Sequence, residues 1–458
     1  MIIQSSSFEY DRIGILGLSR TGIAVFRALR NRARELLIWD DNPQTRQIFT
    51  QQFDSSFLVS PSDPRWQSLD KFIPSPGIDP NHHLIKNIIN CGIDIVSDID
   101  ILFAQSSSSK FISVTGTNGK STTTALIYHV LKSLNINYHM GGNIGIPVLD
   151  LPIKAQGYII ELSSFQLELI KDFRSDIAIL LNITQDHLDR HKTFANYIEI
   201  KKSIISTIRQ HGSAVISVDD INTRNIFEEL KQKNFSKNLI SISTSIICQG
   251  GVSVIDNELH DQLSNSTNIF DLPFNIHLQG AHNAENIAAS YAACRTLGIE
   301  ADKILQSIKT FVGLAHRAQY IGTYLGINFY NDSKATNGFA ASKSINFLDN
   351  VFWIAGGTAK DDGIKDLIPY FNKIRKAYLY GRDSTLFATT LRSKVNFELF
   401  DTLEQAFWAA TKDACLVSGM HKNILLSPAA ASYDQFKDFE ERGNTFISLY
   451  HQLVTQRD

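Results

Sequence analysis

The sequence predicts an α/β protein of three domains: a Rossmann-like N-terminal domain, a central P-loop-type domain on a mostly parallel sheet, and a Rossmann-like C-terminal domain. Three observations predict it. At 458 residues the chain is too long for one ordinary core. Short apolar runs alternate with helical patterns along most of its length, as crossover-connected parallel strands require. And "ISVTGTNGKSTTTALIYHVL" (112–131) runs from a buried strand through a glycine loop, a lysine and hydroxyls into a helix, the order a phosphate cradle needs.

In chain order, "RIGILGL" reads as a strand, "RTGIAVFRALRNR" as a helix and "ELLIWDD" as a second strand ending in Asp40 and Asp41. The acidic end lies roughly twenty residues past the glycine turn, as in dinucleotide-type folds, yet Gly14, Gly17 and Gly22 do not spell G-x-G-x-x-G. A plain structural unit and a ligand site are equally open on this pattern. "FIPSPGIDP" (72–80) is a Pro/Gly turn after a strand at the same sheet edge. The serine-rich "AQSSSSK" (104–110) marks a break in composition, and the expected domains are 1–98, 99–313 and 314–458.

The central domain continues with "GYIIEL" (157–162), "DIAILLNI" (176–183) and "SAVISV" (213–218), near-continuous apolar runs that suit buried parallel strands. Residues 237–280 change to short strands with turns such as "DNEL", and an antiparallel flap is expected there. Two helices, the first "AHNAENIAASYAACRTLG", close the domain near Phe311. The third block has strands "GINFYND" (326–332), "VFWIAGG" (351–357), "KAYLYG" (376–381) and "NILLSP" (423–428) with helices between them.

Composition narrows the function. Lys and Arg number 44 against 46 Asp and Glu, net −2, so no basic surface for nucleic acid is implied. Cys91, Cys248, Cys294 and Cys415 are far apart with no C-x-x-C pair, which suits a reducing compartment rather than a disulfide framework or zinc site. "MIIQSSSFEYDRIG" lacks a basic segment before an apolar run, and no stretch approaches eighteen apolar residues. A cytoplasmic protein without a membrane span is expected.

The loop carries the chemistry. A standard P-loop would have a glycine at position 114, where this chain has Val114. Gly116 and Gly119 still let backbone N–H groups turn inward, and the helix N-terminus adds its positive dipole end. Lys120 is placed to reach β/γ-phosphates, and Ser121 or Thr122 to ligate Mg²⁺. Glu161 ends a buried strand, at the edge where open α/β sheets bind ligands. "NITQDHLDRH" then gathers Asp186, His187, Asp189 and His191 at the same edge, a set suited to a metal or a general base. Lys201, in the helix "FANYIEIKKSII", reads on its own as a solvated lysine. Its ammonium, with a reference pKa of ~10.4, binds no cation.

Together these residues resemble the Mur ligase family of ATP-dependent peptidoglycan-precursor ligases. Family members carry "GTNGK[ST]" without the outer glycine, as this chain does at 116–121, which accounts for Val114. "GGNIG" (141–145), "ELSSFQLE" (161–168) and "DHLDRH" (186–191) match in order, as do His282, Asn283 and Asn286, then His316 and Arg317. "NDSKATN" (331–337) and "LLSPAAASYDQFKDFEERGNTF" (425–446) complete the resemblance from the first strand to the last helix.

The resemblance implies an ATP-dependent carboxylate–amine ligase that adds D-glutamate to UDP-N-acetylmuramoyl-L-alanine through an acyl phosphate, in cytoplasmic cell-wall precursor synthesis. Lys120, Glu161, His187 and Lys201 would be the catalytic set. ATP would be held by Gly116, Thr117, Asn118, Gly119, Lys120, Ser121 and Thr122, with Asn283, Asn286, Arg317, Asp332 and Lys334. Two Mg²⁺ ions are expected, on Ser121, Thr122 and Glu161 and on His187 with Lys201 carbamylated by CO₂. The UDP part of the substrate would lie on Ser19, Arg20, Thr21, Asp40, Ser75, Pro76 and Gly77, with Asn143 at the muramoyl-alanine end. Thr336, Lys360, Ser432 and Phe439 would take D-glutamate. The partners are these small molecules, with no nucleic acid, and a monomer is expected.

Three departures stand out: Ser19-Arg20 where relatives carry a glycine or small apolar residue, Ala315 for a usual proline, and no acid before Lys360. The runner-up is a folylpolyglutamate synthase, which lacks the preceding UDP domain. A P-loop GTPase would need an N-K-x-D run, and "NKIR" (372–375) has no aspartate. A non-catalytic scaffold is the third class, disfavoured by the full set of phosphate and metal groups.

Overall fold

The computed structural model describes residues 11–264, 266–278, 280–359, 363–419 and 421–455. Within them lie three sheets and two compact units, one running to Phe274 and including Ala281–Phe311, the other comprising Asn275–Gly280 and the chain from Val312.

The first sheet holds β1 (Arg12–Leu16), β2 (Glu35–Trp39), β3 (Lys71–Pro74) and β4 (Asp94–Ile95), all parallel, in the order β2-β1-β3-β4. The chain leaves β1 for one neighbour and returns on the other side, so the carboxyl ends of β1 and β3 flank a topological switch point, where such sheets bind ligands. The helix Arg20–Leu29 starts there and packs Val25, Phe26 and Leu29 into the core. A glycine is required at its first turn, because a Cβ at Gly22 would stand 1.8 Å from the Gly17 carbonyl oxygen.

The second sheet has nine strands: β5 (Lys110–Thr115), β6 (Tyr138–Gly142), β7 (Gly157–Glu161), β8 (Ser175–Leu180), β9 (Ile208–Ser217), β10 (Asn238–Ser243), β11 (Val252–Ile255), β12 (Glu258–Asp261) and β13 (Asn268–Asp271). Their order is β13-β12-β11-β10-β9-β8-β5-β7-β6. The central strands β5, β7 and β8 are apolar and buried almost end to end, as parallel strands covered on both faces must be.

The expected antiparallel flap over 237–280 is corrected in part. β10 pairs parallel with β9 and with β11, and only β11, β12 and β13 pair antiparallel. The stretch extends the central sheet rather than standing off it, because "LISIS" buries its serines as well as its isoleucines and so belongs inside a sheet. The helices Ala281–Thr296 and Ala301–Lys309 follow as expected.

One clasp joins the first two sheets. Ser97 caps the helix Asp98–Gln105, and the buried Asp100 carboxylate accepts from the Ser97 hydroxyl (2.7 Å) and from the backbone N–H of Asp172 (2.9 Å) and Phe173 (2.8 Å). Ion pairs Arg27–Asp150 (2.5 Å) and Lys171–Asp94 (2.8 Å) add to it at the surface.

The third sheet has β14 (Gln319–Tyr324), β15 (Ile327–Asn331), β16 (Val351–Gly356), β17 (Ile374–Tyr380), β18 (Phe397–Phe400) and β19 (Lys422–Leu426), in the order β14-β15-β19-β16-β17-β18. All pairs are parallel except β14 with β15. Apolar layers on both faces hold it, one around Trp353, Leu425 and Phe387, the other around Phe329, Phe407 and Phe446. Among the described residues no helix is long and apolar enough to cross a membrane.

Candidate active site

Val114 is a core residue of β5, fully buried and paired with Glu161 and Ile179 on its neighbours. The loop therefore begins at Gly116, two residues later than the first glycine of a standard P-loop. Gly119, at φ +83°, is the N-cap of the helix Lys120–Ser133, and a Cβ there would come within 2.4 Å of Asn286 Oδ1. Only glycine lets Asn286 sit this close. Asn286 is buried, accepts from the Thr123 hydroxyl (3.1 Å) and donates to Asn283 Oδ1 (3.1 Å), so both predicted asparagines lie at the start of the loop helix.

Asn182, just past β8, latches the loop and was not singled out in the sequence. Its carbonyl oxygen accepts from Thr117 N (2.7 Å), and its side chain accepts from Asn118 N (2.9 Å) and donates to Glu285 (2.8 Å). Burial pushes the Glu285 carboxyl up. Thr117 also meets the Tyr197 hydroxyl (3.2 Å). An asparagine closing a buried apolar run was the available signal.

The register sets Val114 between Glu161 and Ile179, and Thr115 beside Leu180, at the carboxyl ends of β5, β7 and β8. Lys120 bends back so that its ammonium donates to the Gly116 and Thr117 carbonyls (2.9 and 2.8 Å), on the loop itself. Glu161 is 1% exposed; its Oε1 accepts from Asn143 Nδ2 (2.8 Å), whereas its buried Oε2 has no partner. A buried carboxylate oxygen left open beside a phosphate loop fits a divalent cation. Ser121 is buried and Thr122 half-buried in the same first turn.

Lys201 overturns the expectation of a solvated lysine. It is 1% exposed, and its Nζ donates to Thr115 Oγ1 (3.0 Å) and the Gly116 carbonyl (2.8 Å), beside the Tyr197 ring. Burial, and after it the Lys120 ammonium, hold its amine well below the usual lysine range against the pull of Glu161 and Asp186. Sequence pattern missed this because the helix Phe194–Lys202 carries two adjacent lysines, of which only Lys201 turns inward while Lys202 pairs with Glu229 (2.6 Å).

The set Asp186, His187, Asp189 and His191 does not converge as expected. Among the described residues no three His, Cys, Asp or Glu side chains are placed to hold a metal. His191 is buried, between Glu168 Oε1 (3.1 Å) and Ser164 Oγ (2.9 Å), and orders the short helix Ser164–Leu167. His187 is half-exposed beside Asp186 (3.5 Å) and Phe165. Its backbone is left-handed, φ +51°, a conformation that costs ~1 kcal/mol. Asp186 Oδ1 accepts its N–H at 2.9 Å, which helps to hold it there.

At the first sheet's switch point, Asp40 Oδ2 accepts from Leu18 N (2.7 Å) and Oδ1 from Asn42 N (2.9 Å). Ser75 donates to the Gly17 carbonyl (3.1 Å), which sets the Ser75–Gly77 turn against the Gly17–Gly22 turn. Ser19 and Arg20 are exposed and Thr21 half-buried at the helix start.

In the second unit, Asp332 is buried at the end of β15. Its carboxylate accepts from Ser344 Oγ (2.5 Å), Ser427 Oγ (2.8 Å) and Ala318 N (3.1 Å), and burial raises its pKa to about 6. Lys334 lies over the Phe439 ring (5.3 Å), Arg317 is exposed, Thr336 half-buried and Ser432 buried. Arg442, unremarked in the sequence, is fully buried and donates to Ser333 Oγ (2.9 Å) and to the carbonyls of Ser333 (2.8 Å) and Ala430 (3.0 Å). Lys360 and the side chain of His282 lie outside the described residues.

This loop, its lysines and the open carboxylate at the edge of a parallel sheet are the frame of a nucleotide-dependent ligase, and comparison with known proteins agrees. The Mur ligase middle domain matches residues 114–294. The UDP-N-acetylmuramoylalanine–D-glutamate ligase of Rickettsia prowazekii is 47% identical over 444 residues, covering 97% of this chain and 98% of the relative. That of Rhodospirillum rubrum is 40% identical over 456 residues, covering 97% and 95%. In fold, the UDP-N-acetylmuramate-alanine ligase of Thermotoga maritima superposes with a TM-score of 0.57 at 16% identity, covering 97% of this chain and all of that one. A MurF ligase of the same organism, solved in complex with ADP, gives 0.56 at 16%, covering 100% and 98%. The chain belongs to the Mur ligase family. Its full-length similarity is to the D-glutamate ligases of that family.

Proposed function

We propose that the chain joins D-glutamate to UDP-N-acetylmuramoyl-L-alanine at the expense of ATP, in cytoplasmic peptidoglycan-precursor synthesis. What carries the reading is the meeting of Lys120, Lys201 and the open Glu161 oxygen at one sheet edge, in a chain 47% identical to such a ligase. Folylpolyglutamate synthase is disfavoured because the similarity extends through the first sheet, over 97% of the chain.

A carboxylate is a poor electrophile, so the substrate carboxylate attacks the γ-phosphorus of ATP and ADP leaves. The amine of D-glutamate then attacks the acyl carbon of the resulting acyl phosphate, loses a proton and displaces phosphate. Lys120 turns from its own loop carbonyls to the phosphates, and the N-terminus of the helix Lys120–Ser133 faces the same charge. Asn283 and Asn286, and separately Arg317, Asp332 and Lys334, keep the ATP-contacting roles that the resemblance implies. Thr336, Lys360, Ser432 and Phe439 take the amino acid. The roles of Ser19, Arg20, Thr21, Asp40, Ser75, Pro76 and Gly77 in holding UDP, and of Asn143 at the muramoyl-alanine end, follow the same reading, with domains at 1–98, 99–313 and 314–458.

Ser121, Thr122 and the open Glu161 oxygen are hard oxygen donors that would hold one Mg²⁺, and His187 with a carbamate on Lys201 would hold the second. Such ions would supply positive charge between carboxylate and triphosphate. Burial and the Lys120 ammonium bias Lys201 towards its neutral amine, the form that adds CO₂. The Lys120 charge that disfavours a Lys201 ammonium favours a carbamate anion in its place. In protein equilibrated with ¹³C-bicarbonate, a carbamate resonance absent from Lys201→Ala is expected. The same spectrum from both proteins would rule the modification out.

The activity is tested by phosphate release with Mg²⁺, ATP and the UDP precursor, comparing D-glutamate, L-glutamate, L-lysine and no amino acid. Release that requires both precursor and D-glutamate is expected. Release with a folate or another amino acid overturns the substrate assignment.

A further inference from the structure

Arg190 lies in the 186–191 motif yet has no part in the reaction described above. Its side chain is 12% exposed and reaches two sheets at once. Nη1 donates to the Ile78 carbonyl (2.6 Å), in the turn that follows Ser75–Gly77 in the first sheet. Nη2 and Nε donate to Glu168 Oε2 (2.9 and 3.3 Å), at the end of the short helix Ser164–Leu167 that follows β7 in the second. Its guanidinium lies over Phe165 (4.9 Å), whose other neighbours are the rings of His187 and His191. The other oxygen of Glu168 holds His191, which holds Ser164.

Each end of this chain of contacts is fixed. Ile78 N donates to the Ser75 carbonyl (3.0 Å), and Ser75 holds Gly17 at the switch point. At the other end, Ser164 opens the short helix that leaves β7 after Glu161. A planar, rigid fork spans a carbonyl on one domain and a carboxylate on the other, which a lysine's single ammonium does not reproduce.

We propose that Arg190 is a positioning residue, which fixes the nucleotide-holding turns of the first sheet at the correct distance from the reacting edge of the second. The substrate in the ligase reading is long, with a UDP end and a carboxylate end, and the inference rests on that reading. Holding both ends independently is not enough, because a misplacement of ~1 Å at the reacting atoms costs on the order of 10²-fold in rate.

The test compares the full-length wild type with Arg190→Met, Arg190→Lys and Glu168→Gln. Four quantities are read: kcat/KM for the UDP precursor, KM for ATP, inhibition by UDP alone, and hydrogen exchange of the amides of 76–82. Arg190→Met is expected to lower kcat/KM for the precursor on the order of 10²-fold. KM for ATP and inhibition by UDP stay close to wild type, because each ligand occupies one end only. Exchange in 76–82 accelerates, and Arg190→Lys recovers part of both effects. If precursor and UDP weaken in the same proportion, Arg190 serves binding alone and the proposal falls. Unchanged exchange in 76–82 overturns it as well. A wild type inactive on the precursor would sink the ligase reading instead, and the exchange measurement would still decide whether Arg190 anchors the turn. If Arg190→Met fails to fold, Glu168→Gln and Arg190→Lys carry the same comparison.

Discussion

The second and third sheets both present loops at the carboxyl ends of parallel strands, and both bury charged groups there, but they treat those charges in opposite ways. At the edge of the second, Glu161 keeps one buried oxygen without a hydrogen-bond partner, Lys120 is parked on its own loop, and Lys201 is buried near the Lys120 ammonium. At the edge of the third, Asp332 takes three donors and Arg442 four acceptors. Burying a polar group without a partner is costly, so it persists only where something else supplies the partner. The second edge is built to receive charge; the third is built to hold its loops.

Substitutions separate the two. Glu161→Gln and Lys120→Ala each lower ligase turnover by at least ~10³-fold, about 4 kcal/mol of barrier, with the urea midpoint unchanged. Lys201→Met abolishes turnover similarly but raises stability, because it replaces a desolvated amine by an apolar side chain of like size. A midpoint that falls with activity in all three would mean that the second edge is structural too.

At the third edge the order reverses. Arg442→Met strands the carbonyls of Ser333, Gly356 and Ala430 in a dry interior, at ~1–3 kcal/mol for each group left unsatisfied. A loss of about 3 kcal/mol is expected in urea unfolding of the second unit, with kcat in the folded fraction changed less than tenfold. A stable Arg442→Met protein with no turnover would place Arg442 in the chemistry and erase the contrast.

The contrast also explains what the sequence could disclose. Strands β5, β7, β8, β16 and β19 were legible because burial on both faces leaves an unbroken apolar run. β6 ("YHMGG") and β14 ("QYIGTY") were not: glycines and exposed polar positions at the sheet's edges hide the pattern. The loop was legible from its own pattern, and Glu161 only alongside it: strand ends of parallel sheets point at ligands, but a strand-end acid by itself reads as solvent-facing. Lys201, Asn182 and Arg442 were not, because their roles depend on partners far away in sequence: Gly116 for the first, Asn118 and Glu285 for the second, Ser333 for the third. Resemblance to a family could supply Lys201; an asparagine closing an apolar run was the one local hint for Asn182, and nothing in local pattern supplied Arg442. Arg190 was quoted within a motif, but its bond to Ile78 joins residues 112 positions apart, beyond any periodicity.

Asp98 belongs to neither edge and serves as the control. It is buried in the first turn of the helix that links the first two sheets, and burial raises its pKa from the ordinary value to about 7. The folded state therefore keeps a proton between about pH 4 and 7 that the unfolded chain, titrating near ~3.9, gives up. Stability from this group is present at low pH and declines as pH rises through that window. Asp98→Asn removes the titrating carboxyl at nearly constant size, so its advantage is absent near pH 4 and complete above pH 7. A shift of about three units sets a ceiling of ~4 kcal/mol. About half of that is expected, ~2 kcal/mol, because buried sites respond as if their surroundings were more polarisable than a dry interior. Urea midpoints of the wild type and Asp98→Asn at pH 5 and pH 8 give the answer: a gain at pH 8 that shrinks at pH 5. An equal gain at both values would mean that Asp98 is destabilising for a reason other than its charge. Buried charge outside the two edges would then follow neither rule.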